Sequence, residues 1–189
     1  MPNTRTKRDL EAALKRQLLR KPLDKITINE LSEDAGVSRM TFYYHFKDIY
    51  DLVEWSCIED ARAALQGKKT YSTWKEGLFQ IFEAVYENRP FIINVYKNVE
   101  RERIERFLSA LVSDLIEGVV LEQCSDLDLP EDKRHFIARF YTYSYVGIML
   151  DWIGAGMKAD YGLLVDDIAL TMKGNIRRSA LNFCKSGPS

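Results

Sequence analysis

The sequence predicts an all-α fold, and two observations lead to that prediction. Only ten glycines and five prolines occur among the 189 residues, so few positions interrupt helices. Apolar residues recur at intervals of three and four along most of the chain, which is the spacing of one helix face. No run of alternating apolar and polar residues is convincing as a strand.

Composition limits the class of protein. Hydrophobic residues make up 46% of the chain, enough to bury a sizeable core, and an aromatic share of 12% argues against a disordered chain. The polar start and the lack of any apolar run near ~18 residues predict neither a signal peptide nor a membrane span. We therefore expect a soluble protein of the cytoplasm.

Positive charge is concentrated at the N-terminus. Residues 1–25 contain eight lysines and arginines against three acidic residues, a net charge of +5, whereas the whole chain carries −1. A basic end on an acidic body is typical of binding to a polyanion. A basic face that only meets solvent is the alternative.

The N-terminal segment predicts a helix over residues 5–19. Leu10, Leu14 and Leu18 repeat at intervals of four, so they form one apolar stripe. Pro22 prevents much further continuation, because proline has no backbone N–H to donate.

Two short helices follow. Thr27 and Glu30 form a capping box, in which each side chain bonds the other residue's backbone amide, so a helix starts there. Gly36 ends this helix, and Ser38 caps the next one over residues 39–46. Two short helices joined by a tight turn that contains glycine predict a helix-turn-helix.

The second of these short helices has an unusual outer face. On a helical wheel, Phe42 and Phe46 share the side that points to the core. The opposite arc carries Met40, Tyr43, Tyr44 and Lys47. Aromatic side chains are normally buried, so either the tyrosines pack against a neighbouring helix or this face binds a partner.

These side chains fit the major groove of DNA. Arg39 can donate to guanine O6 and N7, and the edge of a tyrosine ring can contact thymine methyl groups. Arg39 and Tyr44 are therefore the predicted base readers. The predicted phosphate contacts, which fix the register, are Thr27, Tyr43, His45 and Lys47.

Residues 26–31, ITINEL, and 35–48, AGVSRMTFYYHFKD, resemble the DNA-binding domain of the TetR family. The resemblance covers about residues 5–55 and implies a three-helix DNA-binding head, a fourth helix that leads into a helical regulatory body, and a homodimer. The base-facing positions implied by the family pattern are Arg39, Met40, Thr41, Tyr43 and Tyr44. The phosphate-facing positions so implied are Thr27, Ser38, Tyr43, His45 and Lys47. The chain departs from the pattern at Ile49, where the family usually has a lysine after the Asp48 cap.

A finer resemblance concerns the branch of the family that includes dihydroxyacetone-kinase regulators. It rests on residues 41–48 together with Trp55, and on the aromatic and glycine residues of 140–157. The resemblance implies control by a small-molecule effector, which need not be shared within the branch, or by a protein partner.

The rest of the chain predicts a helical body. We place the domain boundary at residue 48, with the head at 1–48 and the body, for regulation and dimerisation, at 49–189. Predicted helices span residues 49–66, 72–88, 91–96, 99–121, 131–153 and 163–184.

The last two predicted helices are candidates for a dimer interface. The helix over residues 131–153 is apolar on two sides, so it is either a central core helix or part of a symmetric four-helix interface with the last helix. The second interpretation is favoured, and the family resemblance favours it further. The predicted interface residues are Trp152, Val165, Ala169, Met172, Ile176 and Ala180.

Aromatic residues of the body are candidates for the wall of an effector pocket, which the family resemblance implies. Aromatic residues at helical spacing also form ordinary core, and that is the alternative for each of them. The predicted lining residues are Trp74, Phe79, Phe82, Tyr86, Phe107, Tyr141 and Tyr145.

Catalytic and metal-binding patterns are missing from the sequence. It contains no GxSxG, P-loop, GxGxxG or HExxH motif, so we predict that the protein is not an enzyme. His45 and His135 are more than eighty residues apart, and we expect neither a metal nor a cofactor. The three cysteines are predicted to be inert, and Cys184, beside Lys185, is the one candidate for a redox-active thiol.

The sequence therefore predicts a dimeric, sequence-specific transcriptional regulator. Its expected partners are a palindromic double-stranded DNA operator, a second copy of the chain, and an unknown small-molecule effector or protein partner. A small helical enzyme and a regulator controlled by a protein partner alone are the competing hypotheses.

Overall fold

The computed structural model of the protein describes residues 2–64 and 73–186, which form helices joined by short turns. These ranges contain no strand, and the prediction of an all-α fold is confirmed. A 3-10 turn, Leu23–Lys25, follows the first helix. The helices are α1 (Pro2–Leu18), α2 (Ile28–Asp34), α3 (Arg39–His45), α4 (Ile49–Ala64), α5 (Trp74–Glu87), α6 (Arg89–Asn98), α7 (Arg101–Gln123), α8 (Glu131–Gly154), α9 (Tyr161–Met172) and α10 (Asn175–Ser186).

The N-terminal helices enclose a hydrophobic core of their own. Leu10 and Leu14 of α1 are fully buried in it, together with Leu31 of α2 and Phe42 of α3. Burying such a side chain stabilises the fold by about 1.5–3 kcal/mol relative to leaving it exposed. The apolar stripe of the first helix therefore holds the two short helices in place.

This head core extends beyond the boundary expected at residue 48. Leu52 and Val53 of α4 lie in it, and so do Phe91 and Val95 of α6. Helix α6 also packs against α8. The body is therefore joined to the head by side-chain packing through α6 as well as through α4.

Helix α8 is the central helix of the body. It packs along α7 and also contacts α6 and α10. One of its apolar sides is covered within the chain, where Val146 and Leu150 lie in a core that they share with Leu115 of α7. The other side, which carries Phe140 and Tyr143, is exposed, so α8 is a core helix on one side only in the single chain.

The last predicted helix is in fact two helices. The chain bends between α9 and α10 at Gly174, whose φ of 74° is readily adopted by glycine. The prediction of one helix over residues 163–184 is wrong, because the apolar spacing continues across this glycine. The predicted end of the helix over residues 49–66 and the predicted start of the next helix at residue 72 lie outside the described residues.

Candidate nucleic-acid interface

The helix-turn-helix begins with the capping box that the sequence predicts. The amide of Glu30 donates to Thr27 Oγ1 over 3.3 Å, and the amide of Thr27 donates to Glu30 Oε2 over 3.0 Å. Lys21 donates to the same carboxylate over 2.7 Å, and its hydrogen bond together with those from Thr27 lowers the pKa of Glu30 to about 2. The Thr27 hydroxyl donates to Glu30 over 2.8 Å, so donating to a phosphate would require it to leave that bond.

A left-handed residue makes the tight turn between α2 and α3. Gly36 has a φ of 68°, and across it the amide of Val37 donates to Ser32 O over 2.9 Å. A Cβ at Gly36 would meet no atom within 4 Å, so the backbone angle alone favours glycine. Ser38 Oγ then accepts a hydrogen bond from Thr41 N over 3.1 Å and caps α3 as predicted.

Helix α3 has the two faces that the helical wheel predicts. Phe42 and Phe46 are buried in the head core. Met40 is 82% exposed, Tyr44 78% and Tyr43 51%. The outer face of α3 therefore presents three large side chains to the surroundings.

The aromatic rings that the exposed tyrosines contact in the described part of the chain belong to α3 itself. The Tyr44 ring contacts the ring of His45, its neighbour in α3. The Tyr43 ring lies edge-on to Phe42, with 5.7 Å between the ring centres. Packing against another helix therefore does not explain this face, and its side chains are available to a partner.

Polar side chains frame this face. Arg39 at the start of α3 and Lys47 just after its end are both exposed, as is Ser38, whereas Thr41 is half-buried. Ile49, the position at which the family usually has lysine, is half-buried and packs against the head core. A cation is therefore replaced at that position by an apolar packing group.

Lys7 is a cation near α3 that the sequence interpretation did not single out. Its ammonium lies 5.4 Å from the ring centres of both Phe46 and Trp55. The pKa of His45 is lowered, first by burial and then by the charge of Lys7. The run of basic residues at positions 5–8 is the signal that could have identified this side chain.

The sequence matches two models of one protein family. Residues 10–54 match the model of bacterial regulatory proteins of the tetR family. Residues 72–174 match the TetR_C_8 model, described as a transcriptional regulator C-terminal region. The chain belongs to the TetR family of transcriptional regulators. The predicted family and the prediction of a DNA-binding regulator rather than an enzyme are thereby confirmed.

Individual TetR-family proteins are similar to the chain over most of its length. The dhaKLM operon transcriptional activator DhaS of Lactococcus lactis subsp. lactis (strain IL1403) is 22% identical over 152 residues, which cover 78% of this chain and 80% of that protein. A solved structure of the dihydroxyacetone kinase operon activator DhaS has a TM-score of 0.71 at 19% identity, over 92% of this chain and 97% of that one. The TetR-family repressor AlkX from Dietzia sp. strain DQ12-45-1b has a TM-score of 0.55 at 11% identity, over 91% and 95%. These structural likenesses show a shared fold.

The body of this TetR-family regulator contains an apolar cavity of about 80 Å³. Helices α4, α5, α6 and α7 form most of its wall, and each contributes several residues, for example Cys57, Ala84, Ile92 and Phe107 in that order. Among the aromatic residues predicted to line an effector pocket, Phe107 lines this cavity.

The structure places the other predicted pocket residues elsewhere in the body. Helical spacing shows that such residues share a helix face, but it does not show which neighbour that face meets. Three of them lie in the body core, namely Trp74, Phe82 and Tyr145. Two belong to a partly exposed ring cluster with Trp152 and Tyr161, namely Phe79 and Tyr86. Tyr141 is half-buried on α8.

A few polar groups border the cavity. Arg103 Nε lies 3.9 Å from Glu54 Oε2, and Asp60 accepts a hydrogen bond from Lys15 of α1 over 2.7 Å. Burial raises the pKa of the Cys57 thiol to about 12, which keeps the thiol protonated. A redox-active cysteine needs the opposite shift.

The residues predicted for a dimer interface lie inside the chain's own core. Helix α9 packs on α5, and α10 packs on α7 and α8, so the faces that carry the predicted residues are covered without a second copy. The buried members are Trp152, Val165, Met172, Ile176 and Ala180, and Ala169 is half-buried. The exposed large apolar side chains of α8 are instead Phe136, Phe140, Tyr143 and Ile148.

Among residues 2–64 and 73–186, no group of His, Cys, Asp or Glu side chains has the arrangement of a metal site. None of the helices in those ranges is long and apolar enough to span a lipid bilayer. His135 lies on the surface of α8, where its ring nitrogens are 3.9 Å from Glu117 and 3.6 Å from Glu131.

Proposed function

We propose that this TetR-family protein is a homodimeric regulator that reads a palindromic DNA operator with α3 and responds to an effector bound in its body. The outer face of α3 carries this proposal, because Met40, Tyr43 and Tyr44 are exposed there between Arg39 and Lys47. A cluster of large exposed side chains on a short helix marks an interaction site. The protein would act in the cytoplasm, where it meets DNA.

In the major groove, α3 would present its exposed face to base edges, since the groove admits a single α-helix. Arg39 donates to a guanine, and the side chains of Met40 and Tyr44 contact thymine methyl groups. The full set that we assign to bases is Arg39, Met40, Thr41, Tyr43 and Tyr44. The set that we assign to phosphates is Thr27, Ser38, Tyr43, His45 and Lys47.

A second copy is required because one reading helix covers only a few base pairs. We assign the dimer contact to the exposed side chains of α8, where Phe140 is 59% and Tyr143 62% exposed. Phe136 extends this face, and its ring lies 6.1 Å from that of Phe183 on α10. Two copies that meet there along a two-fold axis would remove these apolar groups from water.

The cavity favours a small-molecule effector over control by a protein partner alone. The surface of its wall is mostly apolar, and the charged groups at its border, Glu54, Asp60 and Arg103, include two that pair with each other, so it suits a compact, mainly apolar molecule. Tyr50, Val53 and Cys57 of α4 belong to the wall, and α4 leads directly from the head. A ligand that favours one position of α4 by about 1–3 kcal/mol would change DNA affinity by roughly 5–150-fold.

Selection of bound sequences from randomised duplex DNA tests this function. We expect the full chain to enrich a palindrome whose half-sites lie one helical turn apart, about 34–36 Å. Phe140→Glu should remain folded, become monomeric and fail to enrich the palindrome. Enrichment of no sequence by the unmodified chain, or of a single unrepeated half-site, would contradict the proposal.

A further inference from the structure

We propose, building on the assignment of the cavity as a control site, that Asn94 of α6 is the positioning residue that transmits the state of the cavity to the DNA-binding head. This route passes through α6 and does not use the chain connection through α4. It depends on one side-chain amide that holds three backbone groups of the head.

Both the oxygen and the nitrogen of the Asn94 side-chain amide form hydrogen bonds with the segment that joins α1 to α2. Its Oδ1 accepts a hydrogen bond from Leu23 N over 3.0 Å. Its Nδ2 donates to Leu18 O over 3.2 Å and to Lys21 O over 3.1 Å. Carbonyl groups at the end of a helix have no partner within that helix, so a body side chain here satisfies backbone groups of the head.

The orientation of the amide is set by a neighbour on the same helix. Asn98 Nδ2 donates to Asn94 Oδ1 over 2.9 Å and to Asn94 O over 2.7 Å. Because Oδ1 accepts two hydrogen bonds and Nδ2 donates two, a flipped amide would lose the network. Phe91 and Val95 flank Asn94 and are buried in the head core, so the polar contact lies within an apolar one.

A neighbouring face of α6 lines the cavity. Ile92 and Tyr96 belong to the cavity wall, and Val95 belongs both to the wall and to the head core. Close-packed helices shift as units and do not deform. Because α6 has only ten residues, we expect its cavity face and Asn94 to move together. An occupant that displaces Ile92 or Tyr96 therefore moves Asn94 as well.

The segment that Asn94 holds leads directly into the helix-turn-helix. Lys21, whose carbonyl group accepts from Asn94, forms an ion pair with Glu30 of the capping box at 2.7 Å. Leu23 is buried in the head core, four residues before the Thr27 cap of α2. A shift of this segment consequently changes the position of α2, and α3 is joined to α2 by the tight turn.

A double-substitution cycle tests the route without an identified ligand. Ala84→Leu enlarges a side chain of the cavity wall on α5 and so serves as a fixed occupant. We expect it to change the dissociation constant for the selected operator by roughly fivefold or more, and by less than about twofold when Asn94→Ala is also present. Asn175→Ala is the matched control, since it removes a side-chain amide bond to Thr171 O within the body. With Asn175→Ala present, Ala84→Leu should keep its full effect.

Hydrogen exchange adds a readout that does not depend on DNA. Ala84→Leu should change the exchange rate of the Leu23 amide in the unmodified background but not beside Asn94→Ala. Asn94→Asp keeps the acceptor for Leu23 N and loses both donated bonds, so it tests the same route should Asn94→Ala fail to fold.

An equal effect of Ala84→Leu in all backgrounds would overturn the route through Asn94 and leave control by the cavity intact. If Ala84→Leu changes neither operator affinity nor exchange at Leu23, both the route and control by the cavity are wrong.

Discussion

The head exposes large side chains on one face of a helix of seven residues, whereas the central helix of the body, of 24 residues, buries aromatic side chains on one side and exposes others on the opposite side. Met40 and Tyr44 of α3 face outward, while Tyr145 and Trp152 of α8 lie in the core. Burial of an aromatic side chain is explained by the hydrophobic effect alone. The hydrophobic effect does not explain why several large side chains of one short helix are exposed. The surface of the head therefore indicates which class of partner it binds, whereas the buried core of the body gives no such indication.

The largest expected effect separates core from surface within the body. Ile176→Glu places a carboxylate among buried side chains of α10, and we expect it to unfold the body, because an unpaired buried charge costs several kcal/mol. Phe140→Glu, at an exposed position of α8, should change the free energy of unfolding by no more than about 0.5 kcal/mol and produce monomers. Thermal unfolding and sedimentation measure the two effects. A folded, monomeric Ile176→Glu variant would assign the interface to the stripe that includes Ile176.

A pair of exposed tyrosines compares the head and the body directly. Tyr44→Ala should weaken binding to the selected operator by about 1–3 kcal/mol, with a much smaller loss on random DNA, because a base contact discriminates between sequences. Tyr86→Ala, on the partly exposed aromatic cluster of the body, should leave both affinities unchanged. Titrations of the two DNAs measure this. Equal losses on both DNAs would make Tyr44 a positioning residue.

A smaller effect is expected on the salt dependence of DNA binding. Lys47→Ala should weaken binding to all sequences alike and reduce the slope of log K against log salt by about 1, because one phosphate contact is lost. Lys173→Ala, an exposed lysine of the body, is the control and should not alter the slope. A slope that Lys47→Ala leaves unchanged would remove Lys47 from the phosphate contacts.

The smallest expected effect depends on pH. Lys21 and Thr27 hold the pKa of Glu30 at about 2, below its ordinary value of 4.5. The carboxylate therefore stabilises the head above pH 4.5, and this contribution is lost as the pH falls toward 2. Glu30→Gln should be slightly less stable at neutral pH and should lose less stability on acidification. Thermal unfolding at several pH values measures the difference, and identical pH profiles for the two proteins would refute it.

The fold of the head is predictable because its determinants are local. The Thr27 capping box, the left-handed Gly36 and the Ser38 cap each depend on residues within a few positions, and each forms as the sequence predicts. The outward face of α3 follows from helical geometry once Phe42 is placed in the core. Lys7 was missed because its position over Phe46 and Trp55 depends on how α1 packs in the head, which its local sequence does not show.

The body is less predictable because its features depend on contacts between distant segments. An apolar helix face has the same spacing whether it meets its own chain or a second copy, so the stripe through Val165 and Ile176 could not be assigned from sequence. Gly174 lies within such a stripe, and the spacing alone does not show that the chain bends there. The contacts of Asn94 join segments more than seventy positions apart, which no local rule connects.

The account depends most on the claim that α3 reads bases, and Arg39 offers the most direct measurement of it. Affinities of the unmodified chain and of Arg39→Ala would be compared on operators in which each base pair is replaced in turn. We predict that Arg39→Ala loses discrimination at one base pair in each half-site, related by the two-fold axis, and keeps it at the others. Unchanged discrimination at every base pair would contradict the assignment of α3 as the reading helix.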